Sequence, residues 1–315
     1  MDICKIVEAF AERTGVAAGI CDAAPILSCE SAKLHSAEFV PFVSQDLERR
    51  TNPSISLSTA QSIITVGVGW SIPETVPCND NKKLLMAELS SLGFCNDYHL
   101  KVKAILHDLI EDIRIYYPNF KHKILVDSPA LDERTIAHRA KIGFIGKHGL
   151  LISPKFGSRF NIGLLLTDIN VSDDASLQYN QRFDCCAPTC NQCIKACPTG
   201  ALSNNLDGIT ATYDVKKCIA YLTQKETLTL SEKLLIQNQL YGCDICQNAC
   251  PFNTPIPPTY INPEAWVSAD DCTLTEKYAH TAMLWRGTDI LRRNAKIVLE
   301  NITAGGAKWH TNSQI

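Results

Sequence analysis

The residues with the clearest chemical meaning are cysteines in two short runs. The first run is Cys186-x3-Cys190-x2-Cys193-x3-Cys197-Pro198, and the second is Cys243-x2-Cys246-x3-Cys250-Pro251. Thiolates at such spacing hold 4Fe–4S clusters, and in two-cluster ferredoxins the Cys before Pro ligates the other cluster. Structural zinc also uses C-x2-C pairs, but it does not require two Cys-Pro endings or eight thiolates in two exchanged sets. The pattern therefore predicts two 4Fe–4S clusters.

The predicted ligands fall into two sets, with Cys218 as the remaining thiolate. One cluster is predicted on Cys186, Cys190, Cys193 and Cys250, and the other on Cys197, Cys218, Cys243 and Cys246. The usual ferredoxin spacing would place the first ligand at Ala187, so the adjacent Cys185 and Cys186 compete for that role. We favour Cys186 because it lies nearer to the usual position.

Composition and charge limit the classes of protein to which these cysteines can belong. The 315 residues are 45% hydrophobic and 20% charged, which is enough to bury a sizeable core and excludes a disordered chain. The formal net charge of −3 excludes a protein that is basic throughout. An RNA partner must therefore meet a local basic patch, for which the candidates are Lys141, Lys147, Lys155, Arg159, Arg286, Arg292 and Arg293.

The N-terminal sequence and the apolar runs predict where the protein works. Residues 1–5 lack the basic and apolar regions of a signal peptide, and they carry no twin-arginine signal. The longest apolar runs, 63–70 and 162–166, are much shorter than the roughly 18 residues of a membrane helix. We therefore expect a cytoplasmic protein with no membrane partner, in which clustered cysteines bind metal and do not form disulfides.

Hydrophobic periodicity predicts helices that alternate with strands in residues 1–175. The predicted helices are Ile3–Arg13, Leu84–Leu92, Tyr98–Tyr116 and a segment from Ser128 to about Lys141. The predicted strands are Ser62–Trp70, Ile124–Val126, Gly149–Ile152 and Asn161–Asp168. This alternation indicates a layered α/β (α+β) fold.

Three domains are predicted along the chain. Residues 1–175 are the α/β domain, and a polar linker is predicted at 172–184. Residues 176–263 are predicted to form a bacterial-ferredoxin-like domain for the two 4Fe–4S clusters. Residues 264–315 are predicted to form a short helical C-terminal tail.

An acidic residue directly after a predicted strand is the catalytic candidate outside the cysteine runs. Asp127 lies in the stretch Val126-Asp127-Ser128-Pro129-Ala130-Leu131-Asp132-Glu133-Arg134, and glycine-rich stretches follow at 137–147 and 156–163. Ligand sites of layered α/β folds lie at the carboxyl ends of strands. By residue chemistry alone, Asp127 fits equally well as the N-cap of the helix predicted to follow it. Both interpretations stay open.

These stretches resemble the epoxyqueuosine reductase family, cobalamin-dependent 4Fe–4S enzymes that complete queuosine in tRNA. The resemblance extends from about Asp46 to Asn294, and residues 126–147 together with Tyr241-Gly242-Cys243-Asp244-x-Cys246-Gln247 are its specific part. It also includes Asp46-x-Glu48-x-Arg50-x2-Pro53, Asp97-Tyr98-His99, Cys197-Pro198-Thr199-Gly200 and Lys217-Cys218-Ile219-x-Tyr221-Leu222-Thr223.

The resemblance implies roles for the residues at matching positions. Asp127 would donate the proton to the substrate carbon, while Asp97, Tyr98 and His99 would line the active site. The glycine-rich turns at 143–147 and 157–163 would surround the corrinoid ring through their backbones. No protein histidine ligand to cobalamin is expected. The residues expected to contact cobalamin are Arg50, Cys95, Lys147, Ser158 and Asp244.

The implied reaction is the reduction of the epoxide of epoxyqueuosine at the tRNA wobble position, giving queuosine. Cob(I)alamin would perform it with electrons delivered through the two clusters, which makes residues 1–175 the cobalamin-binding catalytic domain. The implied partners are the tRNA anticodon loop and an external electron donor such as flavodoxin, ferredoxin or a reductase, and a monomer is expected.

Two other functions start from the same residues. One is a corrinoid and iron–sulfur reductase that acts on a small molecule, similar to reductive dehalogenases, although these usually carry the twin-arginine signal that is missing here. The other is a plain two-cluster electron carrier, which leaves residues 1–175 unexplained.

Three features depart from the family pattern. Pro129 stands where a glycine is usual, and the first cysteine run contains an extra residue. Family members often carry a C-terminal HEAT-like domain, whereas only residues 264–315 follow Pro263. This last difference weakens the tRNA interpretation more than the corrinoid interpretation.

Overall fold

The computed structural model of the chain describes residues 1–27, 44–70, 85–171, 185–204 and 211–305. In chain order the helices are α1 (Ile3–Thr14), α2 (Leu47–Thr51), α3 (Pro53–Ser56), α4 (Ser91–Phe94), α5 (Tyr98–Arg114), α6 (Glu133–Arg139), α7 (Gln192–Ala196), α8 (Ile219–Leu222), α9 (Leu230–Leu235), α10 (Ile245–Asn248), α11 (Pro263–Ser268), α12 (Asp271–Tyr278) and α13 (Thr288–Gly305). The strands are β1 (Ala17–Asp22), β2 (Ser62–Gly69), β3 (Ala87–Leu89), β4 (His122–Val126), β5 (Phe144–Ile145), β6 (Leu151–Ile152), β7 (Phe160–Thr167), β8 (Leu202–Asn204), β9 (Ala211–Tyr213), β10 (Gln239–Tyr241) and β11 (Thr259–Ile261). Short 3-10 helices lie at Val215–Lys217 and Ala282–Arg286. None of the described helices is both long and apolar enough to cross a bilayer.

Four strands form the central sheet in the order β1-β2-β7-β4, and each neighbouring pair is antiparallel. Side chains alternate between the two faces, so Ile64 and Leu165 pack with α1 and α5. On the other face, Ile63 and Leu164 pack with Ile136 of α6. Helices therefore cover both faces, and the layered mixed α/β fold predicted from the sequence is confirmed.

The ends of α1 and α5 follow from capping residues in the sequence. The carboxylate of Asp2 accepts a hydrogen bond from the backbone N–H of Cys4, and α1 ends at Gly15, whose φ is 74°. The carboxylate of Asp97 accepts a hydrogen bond from the backbone N–H of His99, 2.9 Å away, and so fixes the start of α5. Both helices lie where the spacing of apolar residues predicts them.

A second, three-stranded sheet has the order β10-β3-β11. The prediction of a helix over Leu84–Leu92 is wrong at Ala87–Leu89, which is a strand between two partners, whereas Ser91 and Leu92 begin α4. Leu84 lies outside the described residues. Ala87 and Leu89 are buried, whereas Glu88 accepts hydrogen bonds from the side chains of Asn238 and Gln239. This period-two burial is difficult to separate from a helical pattern in so short an apolar run.

Residues from all three predicted domains meet around the second sheet. Ala87 and Leu89 share one apolar core with Leu240 of β10 and with residues of α11, α12 and α13. Trp266 of α11 stacks on Tyr278 of α12 with ring centroids 4.8 Å apart. The helices after residue 263 are thus part of a core. The boundaries at 175 and 263 stay a prediction, and the proposed linker at 172–184 lies outside the described residues.

The loop after β4 is longer than predicted, because α6 begins at Glu133 and not near Ser128. Asp127 has a φ of 47°, which is incompatible with the first turn of a right-handed helix. Ser128 precedes Pro129, and a residue before proline is disfavoured in the helical conformation. Residues 127–132 are therefore a loop at the end of the central sheet.

The packing of α6 on this sheet can be tested by a substitution at Gly19 in β1. A Cβ at Gly19 would lie 1.9 Å from the backbone oxygen of Ala140, which directly follows α6. Gly19→Ala is expected to lower the free energy of unfolding by about 1–3 kcal/mol, because backbone must shift to admit the methyl group. Chemical denaturation measures this loss.

The control is Gly69→Ala at the end of β2, where the added Cβ meets the ring of Phe156. A side chain moves more easily than backbone, so a smaller loss is expected there. Equal losses in the two variants would contradict the close packing of the chain after α6 on β1.

Candidate active site and cysteine loops

A cavity of about 1200 Å³ lies where the central sheet, the cysteine loops and the C-terminal 3-10 helix meet. Seven predicted site residues outside the cysteine sets line it together: Arg50, Asp97, Tyr98, His99, Asp127, Ser158 and Asp244. They come from α2, α5, the loops that follow β4 and precede β7, and the loop between β10 and α10. The fold thus brings residues far apart in sequence to one concave surface.

Asp127 meets the first residues of α5 at this surface. The hydroxyl of Tyr98 donates a hydrogen bond to Oδ2 of Asp127 over 2.6 Å, and Nε2 of His99 lies 3.8 Å from the same oxygen. Nδ1 of His99 lies 2.7 Å from Oδ1 of Asp97, and the rings of Tyr98 and His99 stack with centroids 4.2 Å apart. Asp97 thereby orients His99, and Tyr98 holds one oxygen of the Asp127 carboxyl.

The structure excludes one of the two interpretations of Asp127. No helix begins after it in the described loop, since Asp132 is the N-cap of α6. The helix-cap interpretation is therefore wrong. The side chain of Asp127 is 65% exposed and lines the cavity, as a group that acts on a bound molecule must be.

Burial and charge keep Tyr98 in its protonated form. Burial raises the pKa of the Tyr98 hydroxyl well above its ordinary value, and the neighbouring charge of Asp127 raises it further. Tyr98 therefore acts as a hydrogen-bond donor to Asp127 throughout the pH range in which proteins are stable.

Three of the residues predicted to contact the cofactor line the cavity, and they differ in their hydrogen bonding. Arg50 is 5% exposed, and its Nε is buried without a hydrogen-bond partner. Ser158 is buried, and its hydroxyl donates to Oε1 of Gln247 over 2.9 Å. Asp244 accepts a hydrogen bond from the backbone N–H of Ser91, and burial raises the pKa of its carboxyl. Of the three, only Arg50 has a buried side-chain atom without a hydrogen-bond partner.

Two predicted cofactor contacts, Lys147 and Cys95, do not line the cavity. The ammonium of Lys147 donates to the backbone oxygens of Pro188 and Cys190, at 2.8 and 2.9 Å. Lys147 therefore holds the loop of the first cysteine run. Cys95 is buried beside the cavity, and burial raises the pKa of its thiol to about 11.

Glycines of the two glycine-rich turns make close contacts with other parts of the protein. A Cβ at Gly163 would lie 2.5 Å from Cγ1 of Val102 in α5, and one at Gly157 would lie 2.5 Å from the backbone oxygen of Phe252. A Cβ at Gly143 would lie 2.3 Å from the backbone oxygen of Ile152. These glycines allow protein segments to approach each other, while Ser158, Phe160 and Asn161 of the second turn line the cavity. The expectation that the turns surround a cofactor stays a prediction.

The cysteines lie in two groups that correspond to the predicted sets. Burial raises the pKa of the Cys193 thiol to about 11, and the thiols that raise it further are those of Cys186, Cys190 and Cys250. Burial also raises the pKa of Cys246, and the thiols that raise it further are those of Cys243, Cys218 and Cys197 from the same predicted set and of Cys193 from the other. Cys185 is exposed, whereas Cys186 packs with Cys250.

Only one of the two groups faces the cavity. Cys197, Cys218, Cys243 and Cys246 all line it, together with Asp244. The group of Cys193 and Cys250 lies behind it, where α7 packs against α10.

Two cavity residues were missed by the sequence reasoning. His148 is 5% exposed; its Nδ1 accepts a hydrogen bond from the backbone N–H of Leu150, and its Nε2 is buried without a partner. Burial lowers the pKa of His148 to about 4, so it is neutral at pH 7. Glu133 also lines the cavity, beside Asp127. Glu133 lies inside the stretch 126–134, which the family resemblance had already marked, whereas His148 directly follows the stretch 137–147 and carried no such signal.

Most candidates for a basic RNA-binding patch make internal contacts. Arg159 is buried and donates to Asn248 and to the backbone oxygen of Thr254, so this candidate is engaged inside the protein. Arg286 pairs with Glu226, and Arg292 pairs with Asp271. Lys141 and Lys155 are exposed.

Comparisons with known proteins agree with this arrangement. Residues 50–128 match the family model "Epoxyqueuosine reductase QueG, DUF1730", and residues 185–253 match "4Fe-4S double cluster binding domain". Epoxyqueuosine reductase of Bacillus anthracis is 32% identical over 293 residues, which cover 84% of this chain and 70% of that protein. The Lactococcus garvieae enzyme is 31% identical and is covered to 74%.

Solved structures share the fold. Epoxyqueuosine reductase from Streptococcus thermophilus superposes with a TM-score of 0.80 at 28% identity, covering 96% of this chain and 82% of that one. A structure of epoxyqueuosine reductase with an epoxyqueuosine-modified tRNA stem loop has a TM-score of 0.80 at 23% identity, covering 97% of this chain and 84% of that one. The sequence identities, the matched models and the shared fold together show that the chain belongs to the epoxyqueuosine reductase family.

Proposed function

We propose that this protein reduces the epoxide of epoxyqueuosine at the wobble position of tRNA to give queuosine. The observation that carries the proposal is the contact between Tyr98 and Asp127 at a cavity that Cys197, Cys218, Cys243 and Cys246 also line. An acid and a route for electrons thus meet at one surface. A plain electron carrier needs no such acid. An assay with epoxyqueuosine tRNA distinguishes the proposed function from that of a reductase that acts on a small molecule.

The cysteines fit two 4Fe–4S clusters. We assign Cys186, Cys190, Cys193 and Cys250 to the cluster farther from the cavity, because their thiols are mutual neighbours. Cys197, Cys218, Cys243 and Cys246 are assigned to the nearer cluster on the same ground. Eight thiolates in two sets with exchanged Cys-Pro ligands are the donor set of two-cluster ferredoxins.

The cavity fits cobalamin in size and in its unsatisfied donors. Its volume of about 1200 Å³ exceeds the roughly 300–1,000 Å³ of sites for drug-sized ligands. Three lining residues have a buried side-chain nitrogen without a partner: Nε of Arg50, Nε1 of Trp70 and Nε2 of His148. Buried N–H groups need acceptors, and the amide side chains of a corrinoid carry carbonyl oxygens. When bound and reduced, cobalamin supplies the strong nucleophile or reductant of the reaction.

The reaction requires protons that the protein must supply. The epoxide carbon–oxygen bonds break, a carbon–carbon double bond forms and the oxygen leaves as water, which consumes two electrons and two protons. We assign the proton donor to Asp127, because its carboxyl is exposed to the cavity. Tyr98 fixes one oxygen of this carboxyl, and His99, oriented by Asp97, lies beside the same oxygen.

The direction of electron flow indicates where an electron donor would bind, and the exposed cations indicate where tRNA would bind. An external donor such as flavodoxin, ferredoxin or a reductase would deliver electrons to the cluster farther from the cavity. The anticodon loop would enter the cavity from the side of Asp127, with Lys141 and Lys155 as the exposed cations available to phosphate. We place the protein in the cytoplasm, where tRNA is found, and expect it to act as a monomer with residues 1–175 as the cobalamin-binding domain.

The first prediction concerns the cluster ligands. Protein purified without oxygen is expected to contain about eight iron and eight sulfide atoms per chain, as two 4Fe–4S clusters require. Cys186→Ser should remove one cluster, whereas Cys185→Ser, one position away and exposed, should keep both. Iron and sulfide analysis measures this. Stoichiometric zinc would contradict the clusters, and the reverse pattern in the two variants would make Cys185 the ligand.

The second prediction concerns cobalamin. Calorimetry on the cluster-loaded protein should show one cobalamin bound per chain. Arg50→Gln should weaken binding about tenfold to a hundredfold, because hydrogen bonds from charged groups contribute about 1.5–3 kcal/mol. The matched control is Arg49→Gln on the same helix, where the side chain is exposed. If both variants bind cobalamin with the same dissociation constant, Arg50 does not contact it. If the wild type binds no cobalamin, the cavity is not a cobalamin site.

The third prediction concerns Asp127. Asn tolerates the positive φ of this position but supplies no acid, so Asp127→Asn should keep the clusters, cobalamin and melting temperature. Turnover of epoxyqueuosine tRNA should fall about 10²- to 10⁴-fold, the usual contribution of general acid catalysis. Nucleoside analysis of digested tRNA measures turnover, with Asp108→Asn on the exposed side of α5 as the control. Turnover near that of the wild type would exclude Asp127 as the proton donor.

A further inference from the structure

The loop that carries Asp127 is tied to the following helix by one side chain. Residues 127–132 connect β4 to α6 and begin with the positive φ of Asp127. Oε1 of Glu133, the first residue of α6, accepts a hydrogen bond from the backbone N–H of Ser128 over 2.9 Å. This contact closes the loop directly after Asp127. The position of the Asp127 carboxyl therefore depends on Glu133 as well as on Tyr98.

The carboxyl of Glu133 lies among other acidic groups. From the same loop, Asp127 and Asp132 face it, and from α5 the hydroxyl of Tyr98 is close enough to be affected by its charge. The nearby cation is Arg134, which donates a hydrogen bond to the backbone oxygen of Gly149 over 2.8 Å. Glu133 thus lies near two carboxylates and one cation that is engaged elsewhere.

This environment favours a protonated Glu133. Burial raises the pKa of Glu133 to about 8, and Asp127 and Asp132 raise it as well, against the lowering effects of the Ser128 N–H and Arg134. The carboxyl oxygen of the protonated group still accepts the hydrogen bond from Ser128. An ionised Glu133 would instead place a second negative charge beside Asp127.

We propose that Glu133 is a positioning residue that holds Asp127 in contact with Tyr98 through its hydrogen bond to the backbone of Ser128. The proposal rests on the proposed function in so far as Asp127 is the proton donor of that reaction. When Glu133 loses its proton, repulsion between its carboxylate and that of Asp127 favours a loop conformation in which the two groups are farther apart. Asp127 then leaves the position from which it reaches the substrate.

The activity test uses two substitutions that separate the effect of the Glu133 charge from the effect of its hydrogen bond to Ser128. Glu133→Gln keeps an oxygen to accept the Ser128 hydrogen bond but cannot ionise, whereas Glu133→Ala removes the contact. The rate of single-turnover reduction of epoxyqueuosine tRNA by the wild type should fall as the pH rises through about 8. The rate of the Gln variant should show no such fall in that range. Below pH 8 the Ala variant should lose about 10²-fold relative to the wild type, as expected for a misplaced catalytic group, and Gln should restore most of that loss.

A second measurement does not depend on turnover. A carboxyl whose pKa is raised by folding stabilises the folded chain below its ordinary value of 4.5, and this contribution is lost as the pH rises through the folded value of about 8. The melting temperature of Glu133→Gln should therefore rise relative to the wild type between these two pH values. Glu12→Gln, at an exposed position on α1, serves as the control and should follow the wild type at each pH.

The outcomes distinguish this proposal from the proposed function. A wild type that fails to reduce epoxyqueuosine tRNA removes the proposed function, while the melting curves still test whether Glu133 is protonated. A fall in rate above pH 8 that is the same in the wild type and in Glu133→Gln overturns the role of Glu133 even if the enzyme is active. A melting temperature of Glu133→Gln that follows the wild type at every pH also overturns it.

Discussion

The geometry of the acid site depends on the close approach of α5 to the central sheet at Gly163. A Cβ at Gly163 would lie 2.5 Å from Cγ1 of Val102 and 2.9 Å from Cδ1 of Leu106, so only glycine permits this contact. Gly163 pairs with Val126, the last residue of β4, and Val102 lies one helical turn after Tyr98. The same contact that seats the helix on the sheet therefore brings Tyr98 to Asp127. Apolar packing at Gly163 thus determines the contact between the polar side chains of Tyr98 and Asp127.

Around the cavity, negative charge is concentrated and is balanced by two buried guanidinium groups. Arg50 lies near Asp132, and Arg159 is influenced by Asp244, Cys250 and Cys246. Burial lowers the pKa of both arginines, yet a guanidinium keeps its charge in a protein. Because Cys250 and Cys246 belong to different sets, Arg159 lies near one ligand of each proposed cluster. A cation there favours the extra negative charge that each cluster gains when it is reduced.

The sequence was most informative where the chemistry depends on spacing. The two cysteine sets and the position of Asp127 after a strand were predictable, because ligand spacing and strand ends are local features. The roles of Lys147 and Gly163 were not, because each depends on a partner distant in sequence: the carbonyl oxygens of Pro188 and Cys190 for the first, Val102 for the second. The strand Ala87–Leu89 was mistaken for a helix for the same reason, since its pairing partners lie in β10 and β11. Glu133 was visible in the motif, but its raised pKa follows from burial that a sequence does not show.

The pairing of β3 with β10 has a consequence for how the protein is made. Gln239 donates to Glu88 across 151 positions of the chain, and the core around this sheet is completed by Val298 of α13. Contacts between such distant segments form slowly, because a long loop must close first. During synthesis, the cysteine loops emerge from the ribosome before the helices that complete the core beside them. The core beside the cysteine loops can therefore close only after the C-terminal helices have been made.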